Sequence, residues 1–510
     1  MKRNKIEKLK LQLPPIEYYK DLSRLRKLSE RDYFYLKNFG IYSTKQQEEF
    51  MLRLRIPAGL LPLDKLSTIL RLTRSFDTRI LLTARSQMEL HGLSLQEAIH
   101  LHKELLENGI STFQTLTDNL RNIITDPLDG VGLHSKLAVT PLILKMDRAI
   151  RQVPAFVGTL PRKFNVAISG MKASPYNFFA QDCFFALAKK EDRYGFNLYL
   201  GGKNNEIAQS AAIFVWPEEV PKLFEAIVLS YMRHGLRESR TKARLFHLIE
   251  KIGIERMREL ILGYFGAKDP KEGETIQGQL PSAIFYELKD KKFAYKYTTD
   301  FGRIEREELR EILHFAKANN LSIRLSPDQN IYILGLHKPK VPFERPDHTI
   351  LACAGSKECI YALFDTKEEA STLPIALLKK HNIQVGYSGC LKGCGRHILA
   401  DIGLVGIRTN HYGKVERGVR FYLGGGGQRA ARMIYWAVPL RKLNDLLSTI
   451  VEDFVQRGYP TFRQYCESFL NLHSPKALAL YYLTRMCKEE GKIEENDELL
   501  KHYLQRCFAA

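Results

Sequence analysis

The densest chemistry in the chain lies within ten residues. In SGCLKGCGRH, residues 388 to 397, Cys390 and Cys394 form a C-x3-C pair among Gly389, Gly393 and Gly395, and Arg396 and His397 follow at once. A second pair, Cys353 and Cys359 in LACAGSKECIYAL, is spaced C-x5-C. Two close pairs of thiols meet the needs of a structural zinc site, which often spaces its ligands C-x2-C. They equally meet those of an iron–sulfur cluster, which tolerates more varied spacing. Glycine favours either over plain packing, because it lets the backbone come close and aim amide N–H groups at the sulfurs. Cys183, Cys466, Cys487 and Cys507 are scattered singly in apolar or amphipathic runs and read as small core or half-buried residues.

The elements that must position these thiols come from a chain of 510 residues, long enough for about three or four domains. Hydrophobic residues make up 45% and charged residues 26%, as in ordinary globular proteins. The formal net charge of +20 points to an anionic partner. The basic N-terminus, MKRNKIEKLKLQLPPIEYY, lacks an apolar run of signal-peptide length, and no window approaches the ~18 apolar residues of a membrane helix. The expectation is a cytoplasmic protein with no membrane partner, where clustered cysteines speak for metal or catalysis rather than disulfides. A zinc-containing nucleic-acid-binding protein is the remote alternative. The basic residues are dispersed, without an aromatic-interleaved stripe or an RNA motif, so no nucleic-acid partner is expected.

The sequence repeats itself. ILLTARSQMELHGL (80–93) is echoed by SIRLSPDQNIYILGL (322–336), each a strand, a polar turn with Gln and a strand ending in Gly-Leu. IPAGLLPLDKLSTILRLTRSF (56–76) and TTDFGRIEREELREILHFAKANN (298–320) precede them, each a turn and an amphipathic helix. A longer echo joins NVAISGMKASPYNFFAQDCFFAL (165–187) and YGFNLYLGGK (194–203) to QVGYSGCLKGCGRHILADIGLVGI (384–407) and GVRFYLGGGG (418–427). Amphipathic helices follow both, EEVPKLFEAIVLSYMRHG and LRKLNDLLSTIVEDFVQRG. The expected fold class is α+β and internally duplicated, pseudo-two-fold, each half a small α+β unit followed by a larger one. The halves differ: Met171 and Pro175 stand where Cys390 and Cys394 stand in the second, and the first half carries Arg85, Arg121 and Lys163 in its loops. That pattern points to one site built from the cluster of one half and the cations of the other.

The C-x5-C and C-x3-C pairs, GCLKGCGR, LPRKFN and the doubled architecture together resemble the sirohaem-dependent nitrite and sulfite reductases, from about residue 48 to about residue 470. The resemblance implies a ferredoxin-like unit and a larger cofactor-binding unit in each half. It implies that Cys353, Cys359, Cys390 and Cys394 hold a [4Fe-4S] cluster, with Cys394 also the axial ligand of a sirohaem. Sirohaem is a polycarboxylate whose burial demands polar and cationic partners. The candidates are Arg53 and Arg55 in MLRLRIP, with Gln87, Gln329, Asn330 and Arg396. The implied substrate is a small oxyanion, nitrite or sulfite, reduced by six electrons beneath Arg85, Arg121, Lys163 and Asn165. Relatives that reduce sulfite usually carry Lys at the position of Asn165, and those that reduce nitrite commonly Asn. Removing a cation favours the less charged anion, so nitrite reduction to ammonia is the expectation and sulfite reduction to sulfide the alternative.

Several positions depart from the family pattern. Asp126 replaces a cysteine in RNIITDPLDG. In TARSQMELHG, Ser86 and Glu89 stand at the two expected glutamines of TTRQ-x-x-Q-x-x-G, with Gln87 between them, and AGSKEC carries Lys357 and Glu358 where smaller or apolar residues are usual. No G-x-G-x-x-G sits between a strand and a helix, and GGGG at 424–427 reads as a structural loop near the cofactor. Electrons are therefore expected from an external donor, an acidic ferredoxin or else a flavoprotein. The expected division is an N-terminal arm (1–47), a ferredoxin-like half-domain (48–117), a sirohaem and substrate domain (118–270), a linker with the second ferredoxin-like half-domain (271–345), a cluster and sirohaem domain (346–470) and a two-helix C-terminal extension (471–510).

Overall fold

The computed structural model describes residues 3–44, 49–151, 156–266, 271–410 and 415–490. They form two compact units, divided after Arg345. Cys507 and the second helix expected in the C-terminal extension lie outside the described residues, as does the side chain of Cys487.

The first unit contains the two small repeats. One is a five-stranded sheet in the order Ile41–Ser43, Phe50–Arg53, Met88–Leu93, Arg79–Leu82, Arg303–Ile304. The other is a four-stranded antiparallel sheet of Phe285–Glu287, Phe293–Tyr297, Ile331–Leu336 and Ser322–Leu325. Each of the two quoted echoes is a hairpin, and the helices Leu63–Leu72 and Arg306–Ala318 stand where the amphipathic patterns place them. Leu66, Leu90, Leu101, Ile312, Ile323 and Ile333 bury their apolar faces in one core shared by both repeats. The segment Arg303–Ile304 joins them covalently and by pairing with Ile80 and Leu81.

The larger repeat is present once in each unit. In the first, Leu120–Ile124, Phe164–Ser169 and Cys183–Lys190 run parallel, and Arg193–Leu200 and Gln209–Val215 add antiparallel. In the second, Ile350–Ala352, Val385–Ser388 and Ile402–Thr409 run parallel, and Glu416–Leu423 and Arg432–Pro439 add antiparallel. Two long helices, Val220–His234 and Leu440–Gln456, follow the sheets as the repeat requires. In the first unit Phe164, Val166 and Ile168 face a core that also holds Ile227 and Ile261. A strand alternates sides, so Asn165 and Ala167 point to the opposite face, where Ala167 meets Ile124, Phe178 and Phe184. Cys183 and Cys466 are buried core residues, as their apolar surroundings imply.

The N-terminal residues are built into the first unit. Tyr18, Tyr35 and Phe39 enter the shared core, and residues 41–43, which the sequence reading put in the arm, form the edge of the five-stranded sheet. The described helix of the C-terminal extension, Pro475–Glu490, packs on the second unit: Tyr435 donates to the Ala479 carbonyl at 2.7 Å.

Candidate functional site

In the second unit the four clustered cysteines lie in the two segments that leave the carboxyl ends of neighbouring parallel strands. Cys353 follows Ile350–Ala352, and Cys390 and Cys394 follow Val385–Ser388. Cys359 ends the short helix Gly355–Glu358. A Cβ on Gly395 would lie 2.1 Å from the Tyr387 carbonyl oxygen, so only glycine allows the turn to fold back against its own strand. The backbone N–H of Gly389 points at Cys353 Sγ at 3.1 Å. Burial raises the thiol pKa values of Cys359 and Cys390, and the neighbouring thiols raise them further: Cys353 and Cys390 act on Cys359, and Cys394 and Cys353 act on Cys390. The four sulfurs therefore sit within one another's field, the situation that a bound metal group relieves by taking them all as thiolates. The donor set fits a [4Fe-4S] cluster. Arg396 follows directly, half-buried and held at φ +55° by the end of the turn.

In the first unit the two hairpin turns are built alike. Thr83 Oγ1 accepts from the N–H groups of Arg85 and Gln87 at 3.2 and 3.3 Å. Ser326 Oγ accepts from the Asn330 N–H at 3.1 Å. Each turn presents one glutamine whose Nε2 is tied to a carbonyl: Gln87 to Leu54 at 2.7 Å, Gln329 to Leu82 at 3.1 Å. Each leaves a buried Oε1 with no hydrogen-bond partner among the described residues. Asn330 is committed locally, its Oδ1 accepting from the Thr299 N–H at 3.0 Å.

Asn165 is the most exceptional of these polar groups. It is fully buried, and neither Oδ1 nor Nδ2 has a partner among the described residues. Its backbone is fixed, since its N–H donates to Asp182 Oδ2 at 2.8 Å and Asp182 is clamped by Arg244 at 2.7 and 2.8 Å. The Asn122 Oδ1, Ser86 Oγ and both amide atoms of Gln114 are buried and unpartnered in the same way. Buried polar atoms without partners are rare in proteins. A set of them, all near the hairpin turns and the first parallel strands, fits a polar cofactor such as sirohaem.

The cations lie among them. Arg121 donates to the carbonyls of Thr115 at 2.5 Å and Thr117 at 3.1 and 3.3 Å. Burial pushes its pKa well below the ordinary arginine value, and the charges of Arg53, Arg85 and Arg162 push it further. Arg85 is half-buried and donates to Gln181 Oε1 at 3.4 Å, and Asn122 Nδ2 holds its carbonyl at 2.9 Å. Lys163, half-buried, directly follows Arg162, which pairs with Asp118 at 3.2 Å. The buried Asp118 also takes Lys10 at 2.8 Å and Arg240 at 2.7 Å. Burial alone would raise this carboxyl, but Lys10 and then Arg240 hold it at about 2.

Two of the expected sirohaem arginines are engaged within the protein. Arg55 is buried, pairs with Asp147 at 2.5 Å and donates to the carbonyls of Leu120 and Arg121 at 2.9 and 3.4 Å, the pattern of a strut between strand and helix. Arg53 pairs with Glu89 across adjacent strands. The sequence reading did not single out Gln114, Asp118 or the Arg53–Glu89 pair. For Gln114, a polar residue in the loop just before the Arg121 strand is the signal that could have drawn attention.

The fold and these two groups of residues fit a cluster-binding redox protein, with four clustered thiols in one unit and, in the other, buried cations beside polar atoms with no partner among the described residues. A family model described as the nitrite and sulphite reductase 4Fe-4S domain matches residues 116–269, and one described as the nitrite/sulfite reductase ferredoxin-like half domain matches residues 42–108 and 286–342. The two together cover more than half of the chain, and the chain belongs to the nitrite and sulphite reductase family, an oxidoreductase of the sirohaem and [4Fe-4S] class. The cofactor of this class is a [4Fe-4S] cluster and not a structural zinc ion. Among curated relatives, a ferredoxin–nitrite reductase of Synechococcus elongatus is 26% identical over 83% of this chain and 90% of its own length. A sulfite reductase [ferredoxin] of Mycobacterium tuberculosis is 27% identical over 80% of each. The fold matches that of the NirA protein of Mycobacterium tuberculosis with a TM-score of 0.83 at 23% identity, over 93% of this chain and 97% of that one. Among the described residues, no helix is long and apolar enough to cross a membrane.

Proposed function

We propose that this chain is an assimilatory nitrite reductase, which reduces nitrite to ammonia by six electrons drawn from ferredoxin. In this reading Cys353, Cys359, Cys390 and Cys394 would hold the [4Fe-4S] cluster, and Cys394 would also help to hold the sirohaem. When bound, the cofactors would relay the donor's electrons and offer an iron for the oxyanion. The unpartnered amide oxygens of Gln87 and Gln329 and the amide of Asn165 meet the cofactor and its ligand, and Gln114 joins them.

The protein's own part is electrostatic. Arg121 lies in the field of three other cations, Arg53, Arg85 and Arg162, against one carboxylate, Asp118, and an anion placed beside Arg121, Arg85 and Lys163 relieves that repulsion. They bind the oxyanion, stabilise negative charge as it builds up and place N–H protons beside the departing oxygens. Asp118 holds Arg162, and the Asp182–Arg244 pair holds the backbone of Asn165, on either side of Lys163 in the chain.

The observation that carries nitrite over sulfite is Asn165. At a position where sulfite-reducing relatives are expected to carry a lysine, this chain buries an uncharged amide whose two polar atoms have no partner among the described residues. A missing cation penalises a dianion more than a monoanion, by an amount that reaches roughly a few kcal/mol in a dry pocket. The test is kcat/KM for nitrite and for sulfite on one anaerobic, sirohaem-loaded preparation driven by reduced viologen. A large preference for nitrite is expected, and Asn165→Lys should move the ratio toward sulfite by at least tenfold, equivalent to about 1.4 kcal/mol. A preference for sulfite in the unmodified protein, or an unchanged ratio in the variant, refutes the assignment.

A further inference from the structure

The cluster of cations around Arg121 in the first unit contains its own counter-charge at a position where the family pattern has a neutral side chain. Glu89 stands where glutamine is expected, on the strand Met88–Leu93 and in register opposite Arg53. Its carboxylate is buried, forms an ion pair with the Arg53 guanidinium and lies 3.0 Å from His91 Nε2. Burial opposes its ionisation, but Arg53 and then His91 more than offset this and hold the carboxyl at about 2, so it is charged at neutral pH. Arg53 also connects it to the substrate cations. Arg53 Nη1 lies 3.4 Å from the Thr115 carbonyl oxygen, the oxygen that accepts from Arg121 Nη1 at 2.5 Å. Glu89 is therefore one ion pair and one shared carbonyl away from Arg121.

We propose that Glu89 is a specificity-determining residue: its fixed negative charge cancels that of Arg53 and lowers the positive field at Arg121, favouring a monoanion over a dianion. The reason is linear in charge. A unit charge at a fixed distance changes the binding free energy of a dianion by twice as much as that of a monoanion. Glu89→Gln keeps the shape of the side chain and removes only the charge, so sulfite gains more than nitrite. Asn165 and Glu89 act in the same direction, one by withholding a cation and the other by cancelling one. The inference rests on the proposed assignment of Arg121 to the oxyanion.

The test uses the holoenzyme and reads dissociation constants for nitrite and sulfite from the change in sirohaem absorbance on titration, with sirohaem content measured for every variant. Glu89→Gln is expected to tighten sulfite relative to nitrite by about tenfold. The double variant Arg53→Gln/Glu89→Gln, which has the original net charge, should return to the original ratio. An unchanged ratio in Glu89→Gln at full sirohaem content overturns the proposal. Equal shifts in the single and double variants also overturn it, because the pair would then act through geometry. If Glu89→Gln does not accumulate as holoenzyme, Arg53→Gln provides the opposite sign: the ratio should move toward nitrite by about tenfold, and no movement overturns the proposal. Arg121→Gln separates this inference from its basis. If it weakens both anions while the Glu89→Gln ratio stays fixed, only the role of Glu89 falls, and if it weakens neither, both assignments fall.

Discussion

Asp126 stands where the family pattern has a cysteine, and its surroundings give it a titration that a cysteine would not have. The carboxyl is buried, accepts from Ser174 Oγ at 2.5 Å and from the Leu128 N–H at 2.7 Å, and lies near Asp129 and Asp328. Burial is the largest influence and raises it to about 6, against about 4 in an unfolded chain. An acid raised on folding favours the folded state at low pH, and that advantage is lost as pH rises through the folded value. Over a window from about pH 4 to about pH 6, Asp126 should therefore withdraw about 2–3 kcal/mol of stability. Asn in its place keeps an oxygen for the Leu128 N–H and cannot ionise. Urea denaturation at pH 4.5 and 7.5 should show Asp126→Asn losing less stability across the interval than the parent protein. Asp401 is also raised to about 6 by burial and titrates in both proteins, so the difference between them isolates Asp126. A variant whose pH response matches the parent would contradict the assignment. At this scale the sequence is informative about residues whose type is unusual for their setting, such as paired thiols beside glycine or cations in loops. It is silent about partners brought together by folding. Arg53 and Arg55 read equally well as ligand cations, and only strand register and a helix 92 residues away in the chain show that Glu89 and Asp147 engage them.

The elements were legible where a period repeats and illegible where burial depends on distant contacts. Both hairpins and the helices beside them follow from alternation, helical spacing and turn residues, and the two larger sheets share one order of parallel and antiparallel strands. The N-terminal arm carries no such signal. Its burial comes from Lys10 reaching Asp118 and the Leu160 carbonyl, and from the Asn4 N–H donating to the Arg237 carbonyl at 3.0 Å, across separations no local pattern encodes. The C-terminal helix Pro475–Glu490 is a similar case. Besides Tyr435 and its own buried face, it is anchored by a buried carboxylate, Asp453 of the helix Leu440–Gln456, which accepts from Tyr481 at 2.6 Å and from Arg485 and Arg457 at 3.0 and 2.9 Å. Tyr465 donates to the same group at 2.5 Å. Asp453→Ala removes the acceptor that Tyr465, Tyr481, Arg457 and Arg485 share, at a cost of about 2–3 kcal/mol. The expected result is selective: hydrogen exchange should accelerate across residues 475–490 while amides of the strand Ile402–Thr409 keep their protection. Uniform acceleration across both segments would mean that the helix is no separate cooperative element.

The whole molecule carries 77 Lys and Arg against 57 Asp and Glu. Buried pairs such as Arg55–Asp147 and Arg244–Asp182 cancel locally, so most of the excess of +20 is carried elsewhere. Sirohaem carboxylates can neutralise a part of it. The remainder is a long-range field, and a field of this kind acts on association rates more than on the stability of a bound complex. An acidic ferredoxin would be drawn in by it, whereas a reduced viologen, itself cationic, would not. Turnover with each donor at ionic strengths from about 0.05 to 0.5 M should therefore diverge, because the screening length shrinks from roughly 14 Å to about 4 Å over that range. With ferredoxin, kcat/KM for the donor should fall by about tenfold or more. With viologen it should stay level or rise. A fall of equal size with both donors would place the salt effect on oxyanion binding at Arg85, Arg121 and Lys163, and the positive surface would then have no part in choosing the donor.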